Sequence, residues 1–168
     1  MKFFEIEQKY KMTDPKRVRA ALKKMGARKI AGGTETNEFF DLGKQLRERR
    51  LAMRLRTYGK KAVLTLKGPR LKSRFTKRME IEAPVDYGPL KTILGLAGFK
   101  VVKGYKKERE LYRLGQSLIA LDWLPRFGRF LEIEGPLQSI PRIEKKLGLR
   151  DSDREERSYL QMLFNWKQ

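Results

Sequence analysis

The chain predicts a mainly β fold (α+β): eight antiparallel strands closed into a barrel or tunnel, with helices packed on the outside. Three observations predict it. Eight segments rich in β-branched and aromatic residues recur along 168 residues, a strand number at which a small sheet can close on itself. Helical patterns, each with an apolar stripe, fall between them or after the last one. The strands alternate apolar and charged residues, and the charges are grouped by sign: Glu-Ile-Glu occurs at 5–7, 80–82 and 132–134.

In order, the first strand covers 2–11. DPKRVRAALKKMGA follows as a helix, with Asp14 as N-cap, Pro15 in the first turn, Val18, Leu22 and Met25 on one face, and Gly26 as its stop. Strands at 37–42, 50–57, 61–67 and 75–83 come next. DYGPLKTILGLAG reads as a helix with Leu90, Ile93, Leu94 and Ala97 along its stripe. Strands at 100–112, 116–123 and 129–135 complete the eight. PLQSIPRIEKKLG and REERSYLQMLFNW supply two more helices, whose Tyr159, Leu160, Phe164 and Trp166 read as packing residues. Nothing divides the chain: there is no repeat of solenoid length and no Gly/Ser linker, so residues 1–168 read as one domain.

Composition excludes several chemistries. With no Cys there is no disulfide, thiolate nucleophile or zinc–thiolate site. With no His, Ser-His-Asp and Cys-His catalysis are excluded, and any metal must be held by oxygen, which favours Mg²⁺ or Mn²⁺. No apolar run approaches the ~20 residues of a membrane span. Acidic residues in MKFFEIEQK stand where a signal peptide needs an apolar stretch, so a cytoplasmic protein without membrane contact is expected. Net charge is +20, from 40 Lys and Arg against 20 Asp and Glu, which points to a polyanionic partner.

Spacing by two assigns the charges to faces. Glu5, Glu7 and Lys9 share one; Arg54 and Arg56 another; Thr65 joins Lys67; Arg78 joins Glu80 and Glu82. Lys107 aligns with Arg109, Asp122 with Leu118 and Ala120, and Glu132 with Glu134. A half-solvated strand alternates in the same way, with its charges in water. That arrangement leaves the grouping of like charges unexplained. An inverted barrel explains it: charges line a central tunnel, and the apolar faces point outward under the helices. Seven acids and seven bases then face inward, and the whole +20 lies outside. Arg78 could instead pair with Glu80 or Glu82, and Asp122, before Trp123, could cap a turn.

EIEQK, LRLR, LTLKGP, KRMEIE, KKER, LD and FGRFLEIEG, in this order from about Phe3 to Tyr159, resemble the motif series of the CYTH, or triphosphate tunnel metalloenzyme, superfamily. KMGARKIAGGTETNEFFD and ERSYLQML are similar to segments of its class IV adenylyl cyclase-like branch. The resemblance implies an eight-stranded tunnel that binds ATP or another triphosphate with Mg²⁺ or Mn²⁺. It implies Lys9, Arg54, Arg56, Lys67, Arg78, Lys107 and Arg109 as triphosphate-binding residues. Glu5, Glu7, Glu132 and Glu134 are the implied metal ligands, with Asp122, Glu80 and Glu82 as further ones, and Lys9, Glu5 and Glu7 as the catalytic set. The implied activity is cyclisation of ATP to cyclic AMP and pyrophosphate, or hydrolysis of tripolyphosphate, thiamine triphosphate or a nucleoside triphosphate. A complete Arg78-x-Glu80-x-Glu82 departs from bacterial cyclases of this class, which can be degenerate there.

A different class of function stays open. KGPRLKSRFTKR packs Lys67, Arg70, Lys72, Arg74, Lys77 and Arg78 around Phe75, so the external surface is a candidate for nucleic acid or RNA 5′-triphosphates. The alternative is a solvated loop that steers anions by its field. A homodimer is the default oligomer.

Overall fold

The computed structural model describes residues 4–164; residues 2 and 3 of the first predicted strand, and Trp166, lie outside them. Its strands are β1 (Phe4–Lys11), β2 (Arg28–Asp41), β3 (Ala52–Tyr58), β4 (Lys61–Leu71), β5 (Thr76–Val85), β6 (Lys100–Leu114), β7 (Ser117–Leu124) and β8 (Gly128–Glu134). They close in the order β1-β5-β4-β3-β2-β6-β7-β8, every neighbouring pair antiparallel. The helices are α1 (Pro15–Lys24), α2 (Gln45–Glu48), α3 (Tyr87–Leu96), α4 (Ser139–Leu147) and α5 (Tyr159–Phe164).

The apolar side of this barrel is its outside. Ile6, Tyr10, Ile119, Leu131 and Ile133 point away from the axis and pack under α1 and α4, against Leu22, Ile140, Ile143 and Leu147. Each Leu or Ile so covered contributes about 1.5–3 kcal/mol. α1 is fixed at its start by Asp14, which accepts from the Arg17 amide at 3.0 Å. α4 ends at Gly148, whose φ of 66° is a left-handed stop that L side chains resist. On the other flank Phe40, Leu55 and Ala62 meet Leu94 of α3. α5 lies across one end of the barrel, where Tyr159 packs on Leu124 and Phe130, and Leu160 on Phe39 and Ala52.

The structure differs from the sequence reading in four places. β2 begins at Arg28, nine residues earlier than the spacing predicts, because Gly32 and Gly33 dilute its pattern while its backbone still pairs with β6. α3 buries only half of its stripe: Leu90 and Leu94 pack inward, whereas Ile93 and Ala97 are exposed. A short α2 forms around the carboxylate of Asp41, which accepts the Leu46 amide at 2.9 Å. Phe75 is not in a solvated loop; it is buried beside Tyr10.

A charged tunnel as the candidate active site

Inside the barrel the register brings the expected charges together. Glu5 faces Arg78 across β1 and β5. Glu7 faces Glu134, and Lys9 faces Glu132, across β1 and β8. Lys67 faces Glu80 and Thr65 faces Glu82 across β4 and β5, while Arg109 faces Asp122 across β6 and β7. All thirteen of the other expected residues line one cavity of about 360 Å³; Asp122 lies on the same face, fully buried behind Lys107 and Arg109. Such a volume suits a small ligand.

Two ion-pair networks fill the wall. On one side Lys67 donates to Glu5 at 2.9 Å and to Glu80 at 2.7 Å. Arg78 reaches Glu5 and Glu7, each at 3.3 Å, so its partners are on β1 rather than Glu80 or Glu82. Arg56 meets Glu82 at 3.1 Å, and Arg54 lies 3.7 Å from both Glu80 and Glu82. On the other side Arg109 grips Asp122 with two bonds of 2.7 and 2.6 Å and also reaches Glu132. Lys107 bonds Asp122 at 2.9 Å, and Lys9 lies 3.4 Å from Glu132. Asp122 is therefore an inner-wall residue and caps no turn.

Sequence reasoning missed Glu35. It is buried on β2, 3.3 Å from Lys107 and 3.5 Å from Arg109. Its signal was an acid two residues before Asn37, in a stretch whose glycines hid the strand. Tyr159 was read as packing only. It is packed, yet its hydroxyl donates to Asp122 at 2.7 Å and its ring closes the tunnel beneath Lys9, 3.8 Å from the centroid. Tyr105 and Phe39 complete that aromatic end.

Burial and neighbours set the protonation states. Burial alone would raise the Glu5 carboxyl, but Lys67, the hydrogen bond with Glu80, and Arg78 together hold it well below the usual range. Glu80, sheltered and sharing that hydrogen bond, is pushed up to about 8. Burial, then the charges of Glu5 and Glu132, raise Glu7. Burial lowers Lys9 against the pull of Glu132 and Glu7. Glu35 and Glu132 stay low because the pull of their cationic neighbours outweighs burial: Arg109 and Lys107 for Glu35, Lys107 and Lys9 for Glu132.

With Glu35 included, eight acids face seven bases, so the tunnel has no cationic surplus. A polyphosphate entering it must bring cations with it. The oxygen-only donor set suits Mg²⁺ or Mn²⁺, and the directly opposed Glu7 and Glu134 form a like-charge pair that a divalent cation would relieve. Among the described residues no three acids already converge as a metal cage. Arg54 Nε is buried without a partner, a donor left for a ligand.

A closed antiparallel barrel with ions inside and apolar residues outside is a tunnel-type protein, the reverse of a barrel filled by its own core. The CYTH domain model matches residues 4–159, and the chain belongs to that family. A Methanocaldococcus jannaschii protein with a provisional adenylate cyclase name is 30% identical over 145 residues, covering 85% of this chain and 83% of its own. A Vibrio parahaemolyticus structure, also provisionally named an adenylate cyclase, superposes with TM-score 0.86 at 22% identity, over 97% of this chain and 99% of its own. A Hippeastrum protein provisionally named an adenylyl cyclase and described as having a dominant triphosphatase activity superposes with TM-score 0.71 at 20% identity, over 98% of this chain and 97% of its own. No helix of the described residues is long and apolar enough to cross a membrane.

Proposed function

We propose that the whole chain acts as one domain that binds a triphosphate in the tunnel and cleaves a phosphoanhydride bond with Mg²⁺ or Mn²⁺. The observation that carries this reading is the tunnel wall: seven cations and six acids line the cavity, Asp122 and Glu35 lie buried behind them, and the eight acids together leave no cationic surplus. Lys9, Arg54, Arg56, Lys67, Arg78, Lys107 and Arg109 take phosphate oxygens, the guanidinium forks in bidentate fashion and the ammonium groups as point charges. With the cations turned to phosphate, Glu5, Glu7, Glu132 and Glu134 would hold the metal, with Asp122, Glu80 and Glu82 beside them. The metal, when bound, neutralises phosphate charge and makes a bound water or hydroxyl more acidic. Burial and the neighbouring Glu5 push Glu80 up to about 8, which gives the wall a place to hold a proton without histidine. Catalysis then rests on positioning and charge stabilisation.

Hydrolysis of a triphosphate is the reading that these residues support most directly, since phosphate and metal recognition together account for the charged side chains in the wall. Cyclisation of ATP is the second reading. It is favoured by the names of the relatives and by apolar wall residues, Phe4, Leu111 and Leu118, that could receive a base. The test incubates purified protein with Mg²⁺ or Mn²⁺ and measures phosphate from tripolyphosphate and ATP alongside cyclic AMP. Phosphate release that stops on chelation, and falls at least about 10- to 100-fold in Glu7→Gln, is expected. Cyclic product from ATP would select the second reading. Neither product with either metal would overturn both.

A further inference from the structure

A groove outside the tunnel borders on Arg109 and Asp122 of the tunnel wall, but its other lining residues have no part in the chemistry above. It lies where the outer faces of β6, β7 and β8 meet α1, with Gly32 and Gly33 of β2 on one wall and Pro15 and Arg19 on the other. On its floor is Trp123, 48% exposed, between Glu108 and Arg129 on the neighbouring strands. The groove measures about 580 Å³, within the range of small-molecule sites. The β7–β8 turn follows Trp123 by one residue and precedes Arg129, and in it Phe127 is 44% exposed. The Phe127 amide donates to the Leu124 carbonyl to close that turn, and Arg126 sits in it with φ of 70°. Glycine is the usual residue there, and a side chain strains the backbone. The sequence thus spends stability to put an arginine beside an exposed Phe.

Arg126 and Arg129 are exposed and have no ion-pair partner among the described residues, and Lys16 and Lys106 are exposed on the adjoining elements. With the tunnel balanced, 33 basic residues against 12 acidic ones remain for the rest of the chain. KGPRLKSRFTKR, equally basic, cannot stack a base because its aromatic, Phe75, is buried.

We propose that this face binds single-stranded nucleic acid, with bases stacked on Trp123 and Phe127 and phosphates on Arg126, Arg129 and the flanking lysines. Exposed aromatics interleaved with unpaired cations are what sequence-tolerant strand binding needs. Glu108, in the groove, suits exocyclic amino groups of bases. An anionic lipid surface offers no flat rings carrying such donors, which favours the strand.

The test is fluorescence polarisation of a labelled 20-nucleotide oligo-U strand with the full-length protein at 50 and 200 mM salt. Saturating tripolyphosphate with Mg²⁺ competes for the tunnel, on the reading proposed above, and poly-glutamate and anionic vesicles serve as parallel probes. Binding that survives tripolyphosphate and weakens steeply with salt is expected. The Trp123→Ala/Phe127→Ala variant should bind at least tenfold more weakly while keeping the wild-type melting temperature, and Arg126→Gly should weaken binding without loss of stability. No binding at 50 mM salt would overturn the proposal, as would displacement by tripolyphosphate. It would equally fall if poly-glutamate or vesicles bound as tightly, or if Lys72→Glu/Arg74→Glu lost as much as the aromatic variant.

Discussion

Arg109 and Glu110 are neighbours in sequence and sit on opposite faces of β6, and their ion pairs have opposite weights. Arg109 is sheltered in the tunnel wall, where three carboxylates, Glu35, Asp122 and Glu132, depend on it. Replacing it by Lys keeps the charge but loses the fork that serves Asp122 with two parallel bonds. Arg109→Lys should destabilise by about 3 kcal/mol, read from urea unfolding, because a buried pair loses far more when one partner is misfitted than it contributes when intact. Glu110 faces outward and is held at about 2, chiefly by hydrogen bonding to Arg19, with Lys29 and Tyr112 assisting against some burial. That value is below the ordinary 4.5, so Glu110 favours the folded state wherever the unfolded carboxyl is ionised. The stabilisation is present above pH about 4.5 and is lost as the pH falls to about 2. Arg19 and Lys29 are half exposed, which screens the pair to about 1 kcal/mol. Glu110→Gln should therefore unfold at lower urea than the parent at pH 7, with the gap closed at pH 2.

At the scale of elements, alternation was the readable quantity. Glu5, Glu7 and Lys9 share a face in any extended strand, and three Glu-Ile-Glu triplets could not all be solvated accidents, so the inward face of most strands was legible. Partner identity was not. Arg78 pairs with β1 and not along its own strand, because β5 lies beside β1 in the closed order, a register that only the folded sheet fixes. Glu35 escaped for a local reason: Gly32 and Gly33 carry no strand propensity, while the ladder with β6 supplies what they lack. Leu96, 86% exposed, shows the converse, an apolar residue for which the barrel offers no surface. α5 tests how elements build the site. Its hydroxyl at Tyr159 is the donor that ties the helix to Asp122 on β7. Tyr159→Phe leaves the packing on Phe130 intact but removes that donor from a buried carboxylate, so a loss of about 1–3 kcal/mol is expected by thermal or urea unfolding. A variant as stable as the parent would mean that apolar packing alone docks α5.

Over the whole molecule, charge is divided by place. The tunnel is balanced, and the surplus of cations sits elsewhere, so attraction of anions over long distance and their recognition within the wall are carried by different residues. The two can be separated because they respond differently to salt. The Debye length is ~10 Å at 0.1 M and ~3 Å at 1 M, which screens surface charge and leaves buried contacts nearly untouched. For a triphosphate substrate, kcat/KM should fall severalfold between 50 and 500 mM salt, while kcat stays constant. Lys72→Glu/Arg74→Glu reverses two charges on the β4–β5 hairpin and touches nothing in the cavity. It should lower kcat/KM at 50 mM salt, leave kcat alone, and converge with the parent at 500 mM. A defect that persisted at high salt would place those residues in contact with the bound substrate, and a parent insensitive to salt would leave the external charge without a part in capture.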